Sequence, residues 1–174
     1  PEILNKEAEV AYQELNLNPD KKTIFVFGGS RGAKSINQAV VAIYQQLAEA
    51  NVQVLHITGK KDFERIAAKA KKLGINNFES GKIRIKSYLY NMEAALAVAD
   101  LVISRAGATG LAEITASGLA AILVPYPHAT DNHQEHNARS LEEAGAAKVI
   151  LDDELTAERL WPEIKELLTD QEQL

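Results

Sequence analysis

The chain has 174 residues, of which 46% are hydrophobic and 25% charged, and its formal net charge is −5 at pH 7. This length suits one domain with a full core, and the negative charge argues against nucleic acid as the main partner. There is no cysteine, which excludes disulfides and thiolate metal sites. The longest uncharged run, residues 114–130, contains glycine and prolines and is not a membrane span.

Short apolar or β-branched runs alternate along the chain with segments of helical periodicity. The apolar runs predict six buried strands, at residues 23–27, 52–57, 82–86, 101–104, 121–124 and 148–151. The helical segments lie at residues 5–15, 34–47, 62–73, 91–99, 111–117, 132–144 and 156–168. In the first helix we expect Val10 and Leu15 to be buried, and Asn91 is a candidate N-cap. The alternation predicts a doubly wound α/β fold, a parallel sheet of about six strands with helices on both faces.

Four loops follow predicted strands, at residues 28–32, 88–92, 105–110 and 125–134. In a parallel sheet, the carboxyl ends of the strands meet at one edge, where ligands bind near the reversal of strand order. We therefore expect these loops to form one functional cleft.

Gly28-Gly29-Ser30-Arg31-Gly32-Ala33 joins a predicted strand to a predicted helix. It lacks the spacing of the dinucleotide fingerprint and the G-K-[ST] ending of a P-loop. What remains is a backbone that a diphosphate can approach closely, with a hydroxyl on Ser30. The alternative is a tight turn in which Arg31 is solvated.

A second glycine loop contains Gly107 and Gly110 and leads into a helix that carries Glu113. Glycines at a helix start leave backbone N–H groups free for phosphate. We place Glu113 in the first helical turn, where its carboxylate suits the two hydroxyls of a ribose. The loop thus indicates a nucleotide or nucleotide-sugar site; the alternative is a connecting turn in which Glu113 favours the helix dipole.

Three of the four histidines, His128, His133 and His136, lie close together with Glu135 between them. Neither H-E-x-x-H nor a third suitably spaced ligand is present, so we predict no metal site and favour polar sugar contacts or a solvated helix start. His56 lies within a strand and is expected to be a core or edge residue. No Ser–His–Asp set, paired carboxylates or evident general base stands out.

Taken together, the motifs at residues 28–37, 105–113, 125–127 and 133–138 resemble the MurG family of glycosyltransferases. That family transfers N-acetylglucosamine from UDP-GlcNAc to lipid I, undecaprenyl-pyrophosphoryl-MurNAc-pentapeptide, and so makes lipid II for peptidoglycan, cell shape and division. The resemblance covers essentially the whole chain and matches the C-terminal, Rossmann-like half of a two-domain GT-B enzyme. It implies a single donor-binding domain over residues 1–174 that works by inverting displacement, with no metal or cofactor.

The resemblance also implies roles for individual residues. Glu113 would hold the ribose, Leu89 and Met92 would flank the uracil, and Gln134 and His133 would bond the sugar. The residues expected around the diphosphate are Gly29, Ser30, Arg105, Ala108 and Thr109. Two positions depart from the family pattern: Gly110 stands where a hydroxyl residue is frequent, and Ala120 where a proline usually follows Gly-Leu.

In the family, the acceptor site, the proposed base and the membrane-facing patch lie in the N-terminal half, which we expect to be absent from this chain. This half alone is then expected to be inactive and cytoplasmic, with the full-length enzyme peripheral to the cytoplasmic face of the cell membrane. Two alternatives stay open: a separate-chain UDP-GlcNAc transferase subunit that docks on a membrane partner, and a non-catalytic nucleotide-sugar-binding module.

Overall fold

A computed structural model describes residues 2–29 and 33–169, with side chains from residue 8 onward. Its strands are β1 Lys22–Phe27, β2 Val52–Ile57, β3 Ile83–Lys86, β4 Leu101–Ser104, β5 Ala120–Leu123 and β6 Ala147–Val149. They form one sheet in the order β3-β2-β1-β4-β5-β6, and all paired neighbours are parallel. The predicted six-stranded parallel sheet is confirmed.

The helices are α1 Glu2–Glu14, α2 Lys34–Ala42, α3 Tyr44–Glu49, α4 Phe63–Lys72, α5 Met92–Ala97, α6 Ala108–Ala116, α7 His133–Glu143 and α8 Ala157–Thr169, with a 3₁₀ turn at Thr130–Asn132. The single helix predicted over residues 34–47 is two helices, because the backbone of Ile43 leaves helical geometry at φ −104 and ψ 10. Asn91 caps α5 as predicted, and its side chain accepts from the N–H of Ala94 at 3.1 Å. Within the described residues, no helix is both long enough and apolar enough to cross a membrane.

Helices cover both faces of the sheet, and alternate residues of each strand feed two separate cores. In β1, Ile24 and Val26 pack with α2, α3, α4 and α8 on one face. Phe25 and Phe27 pack with α1, α5 and α6 on the other. This alternation follows from the period of two in a strand, and it explains why β1 is apolar at every position from Ile24 to Phe27.

The prediction that Val10 is buried is wrong. Val10 is 56% exposed, whereas Ala11 and Leu15 are 4% and 2% exposed. Ala11 and Leu15 lie one turn apart and share the buried face of α1, whereas positions 10 and 15 are separated by about 140° around a helix of 3.6 residues per turn. Only one of the two predicted positions can therefore face the sheet.

The strand order reverses between β1 and β4, which are neighbours at the centre of the sheet. A crevice forms at such a point because the loops that follow the two strands leave in opposite directions. Here the loop after β1 holds Gly28 and Gly29, and the loop after β4 holds Gly107. The fold thus brings the two glycine loops to one edge of the sheet, as predicted from the strands that they follow.

Candidate functional site

Two adjoining cavities open at the carboxyl edge of the sheet, and Phe27, Gly29 and Gly110 line both of them. The cavity toward β5, of about 740 Å³, is called here the β5 cavity; its other lining residues include Lys34, Ser35, Arg105, Gly107, Tyr126, His128, Gln134 and Asp152. The cavity toward β2, of about 870 Å³, is called the β2 cavity; it also includes Lys60, Lys61, Tyr88, Leu89, Met92, Thr109 and Glu113. Together they form one cleft across the switch point.

The β2 cavity unites the residues predicted for a nucleoside. Leu89 is buried, Met92 is half-buried, and Glu113 is exposed along the same wall. Glu113 is not in the first helical turn as predicted, because α6 begins at Ala108 and has no acidic residue in its first turn. The helix dipole acts within the first turn, so its stabilisation does not account for Glu113.

Sequence reasoning missed the basic and aromatic rim of the β2 cavity. The ammonium of Lys60 lies 5.8 Å from the centroid of the Tyr88 ring, and the Tyr88 and Tyr90 rings meet edge to face at 4.9 Å. The Thr58-Gly59-Lys60-Lys61 loop follows a predicted strand, which is the signal that would have added it to the cleft.

The N-termini of α2 and α6 both open on the β5 cavity. The first backbone bond of α6 runs from Leu111 N to Gly107 O at 3.0 Å, and that of α2 from Asn37 N to Ala33 O at 2.9 Å. The three N–H groups that precede each bond therefore have no acceptor within the helix. Neither N-cap supplies a side-chain hydrogen bond, so both termini suit an anion.

The backbone conformation favours glycine at position 29 but not at position 110. Gly29 has a φ of +80, which L side chains rarely adopt, although the space around it is open. A Cβ on Gly110 would lie 3.8 Å from Phe27, an ordinary contact. Ser30, which the sequence placed at the diphosphate, lies outside the described residues together with Arg31 and Gly32.

Gln134 stands on the far wall of the β5 cavity. Its Oε1 accepts from the N–H of Tyr126 at 2.9 Å, and its Nε2 lies 3.9 Å from the point where a Cβ on Gly107 would stand. The turn into α7 passes through two left-handed residues, Asp131 and Asn132, with φ of 50 and 53. Asp and Asn tolerate that conformation better than most residues, so this turn sets the direction from which Gln134 reaches the cavity.

Two of the predicted site residues line neither cavity, Ala108 and His133. His133 Nδ1 lies 2.7 Å from the carbonyl of Thr130, so Nδ1 carries the hydrogen and only Nε2 is left for another group. The backbone N–H of Ala108, at the start of α6, is one of the three that have no acceptor within the helix.

Arg105 lies against the β5 cavity, but its guanidinium is held by the protein. Nη1 donates to the carbonyls of Val124 and Pro125 at 3.1 and 3.0 Å and to Asp152 at 2.5 Å. Nη2 donates to Ser35 Oγ at 2.8 Å. Lys34 also lines this cavity. Unlike Arg105, it forms no ion pair within 4.0 Å with a carboxylate of the described residues. The sequence singled out neither Lys34, Ser35 nor Asp152, although Lys34 directly follows the first glycine loop.

His128 is the one histidine of the β5 cavity wall, where its ring meets Tyr126 edge to face at 5.6 Å. Within the described residues, no group of three or more His, Asp or Glu side chains is placed to hold a metal ion.

Behind the cleft, His56 belongs to a buried polar network, so that of the two predicted locations, core or edge, it occupies the core. Asn37 Nδ2 donates to the carbonyl of Thr58 at 2.9 Å and to Asp62 at 3.0 Å, so Asn37 Oδ1 accepts from His56 Nε2 at 2.9 Å. His56 Nδ1 then accepts from the hydroxyl of Tyr44 at 2.6 Å. Burial lowers the pKa of His56 to about 3, which keeps the ring neutral.

The network ends on a charged pair at its surface. Burial acts to raise the pKa of Asp62, but hydrogen bonds from Arg65 and Asn37 outweigh it, so that pKa lies below its usual value. The Arg65–Asp62 distance is 2.8 Å. α2 is therefore joined to β2 and to the start of α4 by polar bonds that run from the buried His56 to the partly exposed Asp62.

The sequence of the chain matches the model of a known protein family. The family model described as Glycosyltransferase family 28 C-terminal domain matches residues 23–174. The chain belongs to this family.

Two curated relatives of this family 28 domain are similar along all of it. Both are named UDP-N-acetylglucosamine--N-acetylmuramyl-(pentapeptide) pyrophosphoryl-undecaprenol N-acetylglucosamine transferase. The one from Desulforamulus reducens is 49% identical over 175 residues, and the one from Halothermothrix orenii is 51% identical over 173. These matches cover 100% and 99% of this chain but 47% of each relative. The chain thus spans about half the length of the curated relatives it matches.

Among solved structures, the family 28 domain is similar to MurG of Acinetobacter baumannii, with a TM-score of 0.75 and 31% identity over 94% of this chain and 46% of that one. The calicheamicin glycosyltransferase CalG4 gives a TM-score of 0.66 at 20% identity, over 89% of this chain and 37% of that one, which shows the fold alone. The expected resemblance to the C-terminal half of a GT-B glycosyltransferase is confirmed.

Proposed function

We propose that this chain is the donor-binding domain of an N-acetylglucosaminyltransferase and that it binds UDP-N-acetylglucosamine. The observation that carries the proposal is the division of the cleft. A cavity with Leu89, Met92 and Glu113 adjoins a cavity with Gln134, and the two meet at Gly29 and Gly110 beside two open helix N-termini. The order of these features along the cleft matches uracil, ribose, diphosphate and sugar. The names of the relatives state the same donor.

In this arrangement the nucleoside occupies the β2 cavity. The uracil lies against Leu89 and Met92, and the ribose hydroxyls donate to the Glu113 carboxylate. Hydrogen bonds to an ionised acceptor are stronger than neutral ones, so the carboxylate contributes more than an amide would. This assignment gives a role to Glu113, which lies beyond the first turn of α6 and therefore is not explained by the helix dipole.

The diphosphate lies at the junction of the two cavities. Gly29 allows close approach of the backbone, and the N–H groups of Ala108, Thr109 and Gly110 have no helical acceptor. Lys34 adds a positive charge at the start of α2. In the β5 cavity, Gln134 Nε2 is placed to donate to a sugar hydroxyl, because Oε1 is already bonded to Tyr126.

The same groups suit an inverting transfer. The bond from the anomeric carbon to the β-phosphate oxygen breaks as the acceptor oxygen attacks from the opposite face, and UDP leaves with the bonding electrons. Preorganised N–H groups and helix N-termini stabilise the charge that develops on the leaving diphosphate. We place the acceptor, lipid I, together with the base and the membrane contact, in the rest of a longer enzyme, because the relatives are about twice as long as this chain.

Calorimetric titration of the chain with UDP-GlcNAc, UDP and uridine tests the proposal. We expect saturable one-to-one binding of UDP-GlcNAc and UDP, with uridine much weaker because it lacks the diphosphate. Excess EDTA should leave the affinity for UDP-GlcNAc unchanged. Lack of UDP binding would contradict the proposed donor site. A large loss of UDP-GlcNAc affinity in EDTA, restored by zinc or magnesium, would instead support a metal site at His128, His133 and His136.

A transferase assay with lipid I tests the division of labour. The isolated chain should bind the donor without turnover, because no general base is assigned in the described part of the cleft. Robust turnover by this chain would contradict the two-domain interpretation and favour a complete enzyme.

A further inference from the structure

The guanidinium of Arg105 closes a ring of three side chains on the wall of the β5 cavity. It donates to Ser35 Oγ at 2.8 Å and to Asp152 Oδ1 at 2.5 Å, and the Ser35 hydroxyl donates to the same oxygen of Asp152 at 2.6 Å. The side chains of Arg105 and Asp152 are only 12% and 23% exposed. An ion pair this well shielded is expensive to break, because each partner is then left without its counter-charge.

The ring joins segments that are distant in sequence and adjacent at the sheet edge. Ser35 lies in the first turn of α2, Arg105 follows β4, and Asp152 follows β6. Arg105 also donates to the carbonyls of Val124 and Pro125 after β5. This guanidinium therefore links the open N-terminus of α2 to the loops after β4 and β5.

Asp152 is in an unexpected place for a cleft that binds a diphosphate. Its carboxylate lines the β5 cavity, where by charge alone it repels an anion. Its hydrogen bonds instead indicate a structural role, because Ser35 and Arg105 both donate to Oδ1 of Asp152.

We propose that Asp152 is a positioning residue for diphosphate binding, which acts by holding Arg105 and through it the first turn of α2. This inference rests on the proposed function, a UDP-sugar donor site. It differs from the expectation for Arg105 given by the resemblance, which is a substrate-binding residue close to the diphosphate. In the present geometry the four hydrogen bonds of Arg105 go to the protein, and the N–H groups it positions are the ones that meet the ligand.

The two roles predict opposite signs for one substitution. If Arg105 binds the diphosphate directly, Asp152→Asn removes a competing negative charge and UDP binds more tightly. If Asp152 positions Arg105, the same change weakens the ring and UDP binds less well. Asp153→Asn is the matched control: it removes the same charge from the next residue, which is exposed and lines neither cavity.

Calorimetry with UDP and with uridine, beside a thermal melt, tests the inference. We expect Asp152→Asn to weaken UDP binding about ten- to hundred-fold, as for loss of one charged hydrogen bond, and to change uridine binding less than about twofold. Asp153→Asn should leave both unchanged. Equal or tighter UDP binding by Asp152→Asn would overturn the inference, and so would an equal loss for uridine with a lower melting temperature, which marks a merely structural role.

Two further variants show whether Asp152 acts through Arg105. In an Arg105→Met background, Asp152→Asn should cause no further loss of UDP affinity, because the group it positions is gone. A full second loss in that background would overturn the inference. Ser35→Ala provides a test that does not depend on the folding of an Asp152 variant, and it should weaken UDP but not uridine. Absence of UDP binding by the unaltered chain would instead contradict the proposed function itself.

Discussion

The cleft and the network behind it are both polar, but they satisfy their polar groups in opposite ways. In the network, His56, Asn37 and Tyr44 are buried and pair with one another in a neutral chain. In the cleft, Glu113 and Lys34 are exposed, and two helix N-termini have backbone donors with no acceptor in the helix. A buried group must be satisfied within the fold, whereas a group in a cleft is available to a ligand. We therefore expect changes in the cleft to alter affinity and changes in the network to alter stability.

The largest effect on affinity is expected for Glu113→Gln, a substitution in the cleft. If the carboxylate accepts from both ribose hydroxyls, the amide keeps one acceptor and sets an N–H against the other hydroxyl. We expect UDP-GlcNAc binding to weaken by ~1.5–3 kcal/mol, roughly ten- to hundred-fold. The melting temperature should hardly change. Calorimetry and a thermal melt measure the two quantities.

A matched ligand and a matched residue control this prediction. The native chain should bind 2′-deoxy-UDP-GlcNAc weakly, and Glu113→Gln should harm that binding much less. Glu93→Gln, an exposed change on α5 outside both cavities, should leave the affinity for both ligands unchanged. Equal losses for the two ligands, or a lower melting temperature at unchanged affinity, would return Glu113 to a structural role.

The network side is tested by pH. The pKa of a histidine is about 6.5 in an unfolded chain and about 3 for His56 in the fold, so the unfolded state binds more protons between these values. Stability is therefore complete above about pH 6.5 and is lost as the pH falls toward 3. We expect the free energy of unfolding in urea to drop by about 2.5 kcal/mol from pH 7 to pH 4.5 through His56 alone.

Two variants assign this pH dependence. His56→Gln should remove most of it, and His136→Gln, at an exposed position, should keep it. The low pKa of Asp62 contributes in the same direction but at a lower pH, below its ordinary value near 3.8. An unchanged pH dependence in His56→Gln would show that other groups carry it.

A smaller effect on the same side is expected for Tyr44→Phe. Loss of the hydroxyl leaves Nδ1 of the buried His56 without a donor, which costs ~1–2 kcal/mol of stability. UDP affinity should stay within about twofold, because Tyr44 lines neither cavity. Tyr90→Phe, at an exposed ring, is the control for the stability measurement. A loss of affinity larger than the loss of stability would contradict the separation of the two regions.

The smallest effect is expected at Gly110, which belongs to the cleft. A side chain fits there at 3.8 Å from Phe27, and replacing glycine in a helix adds up to ~0.5–1 kcal/mol of stability. We expect Gly110→Ala and Gly110→Ser both to raise the melting temperature. Only Gly110→Ser should also tighten UDP, by about two- to five-fold, since it adds a hydroxyl beside the proposed diphosphate position. Equal UDP affinities for the two variants would show that a hydroxyl at this position makes no contact with the diphosphate.

Local sequence patterns were sufficient to predict the sheet, the doubly wound class and the edge of the sheet that holds the cleft. These depend on local periodicity and on the rule that parallel strands share a carboxyl edge. The glycine loops and their order along the chain were also sufficient to indicate the family, which the comparisons confirmed. The assignments of Leu89, Met92, Glu113 and Gln134 to ligand groups stay predictions, although the fold brings their side chains to one cleft.

The hydrogen-bond partners of the polar side chains became known only from the tertiary structure. Arg105 meets Ser35, 70 residues earlier, and Asp152, 47 residues later, and His56 meets Asn37 and Tyr44 from two different helices. No local pattern encodes such pairs, because they depend on strand order and on how each helix is rotated against the sheet. The same dependence explains the exposed Val10 and the early start of α6: packing on neighbouring elements, rather than propensity, selects the buried face and the first turn of a helix.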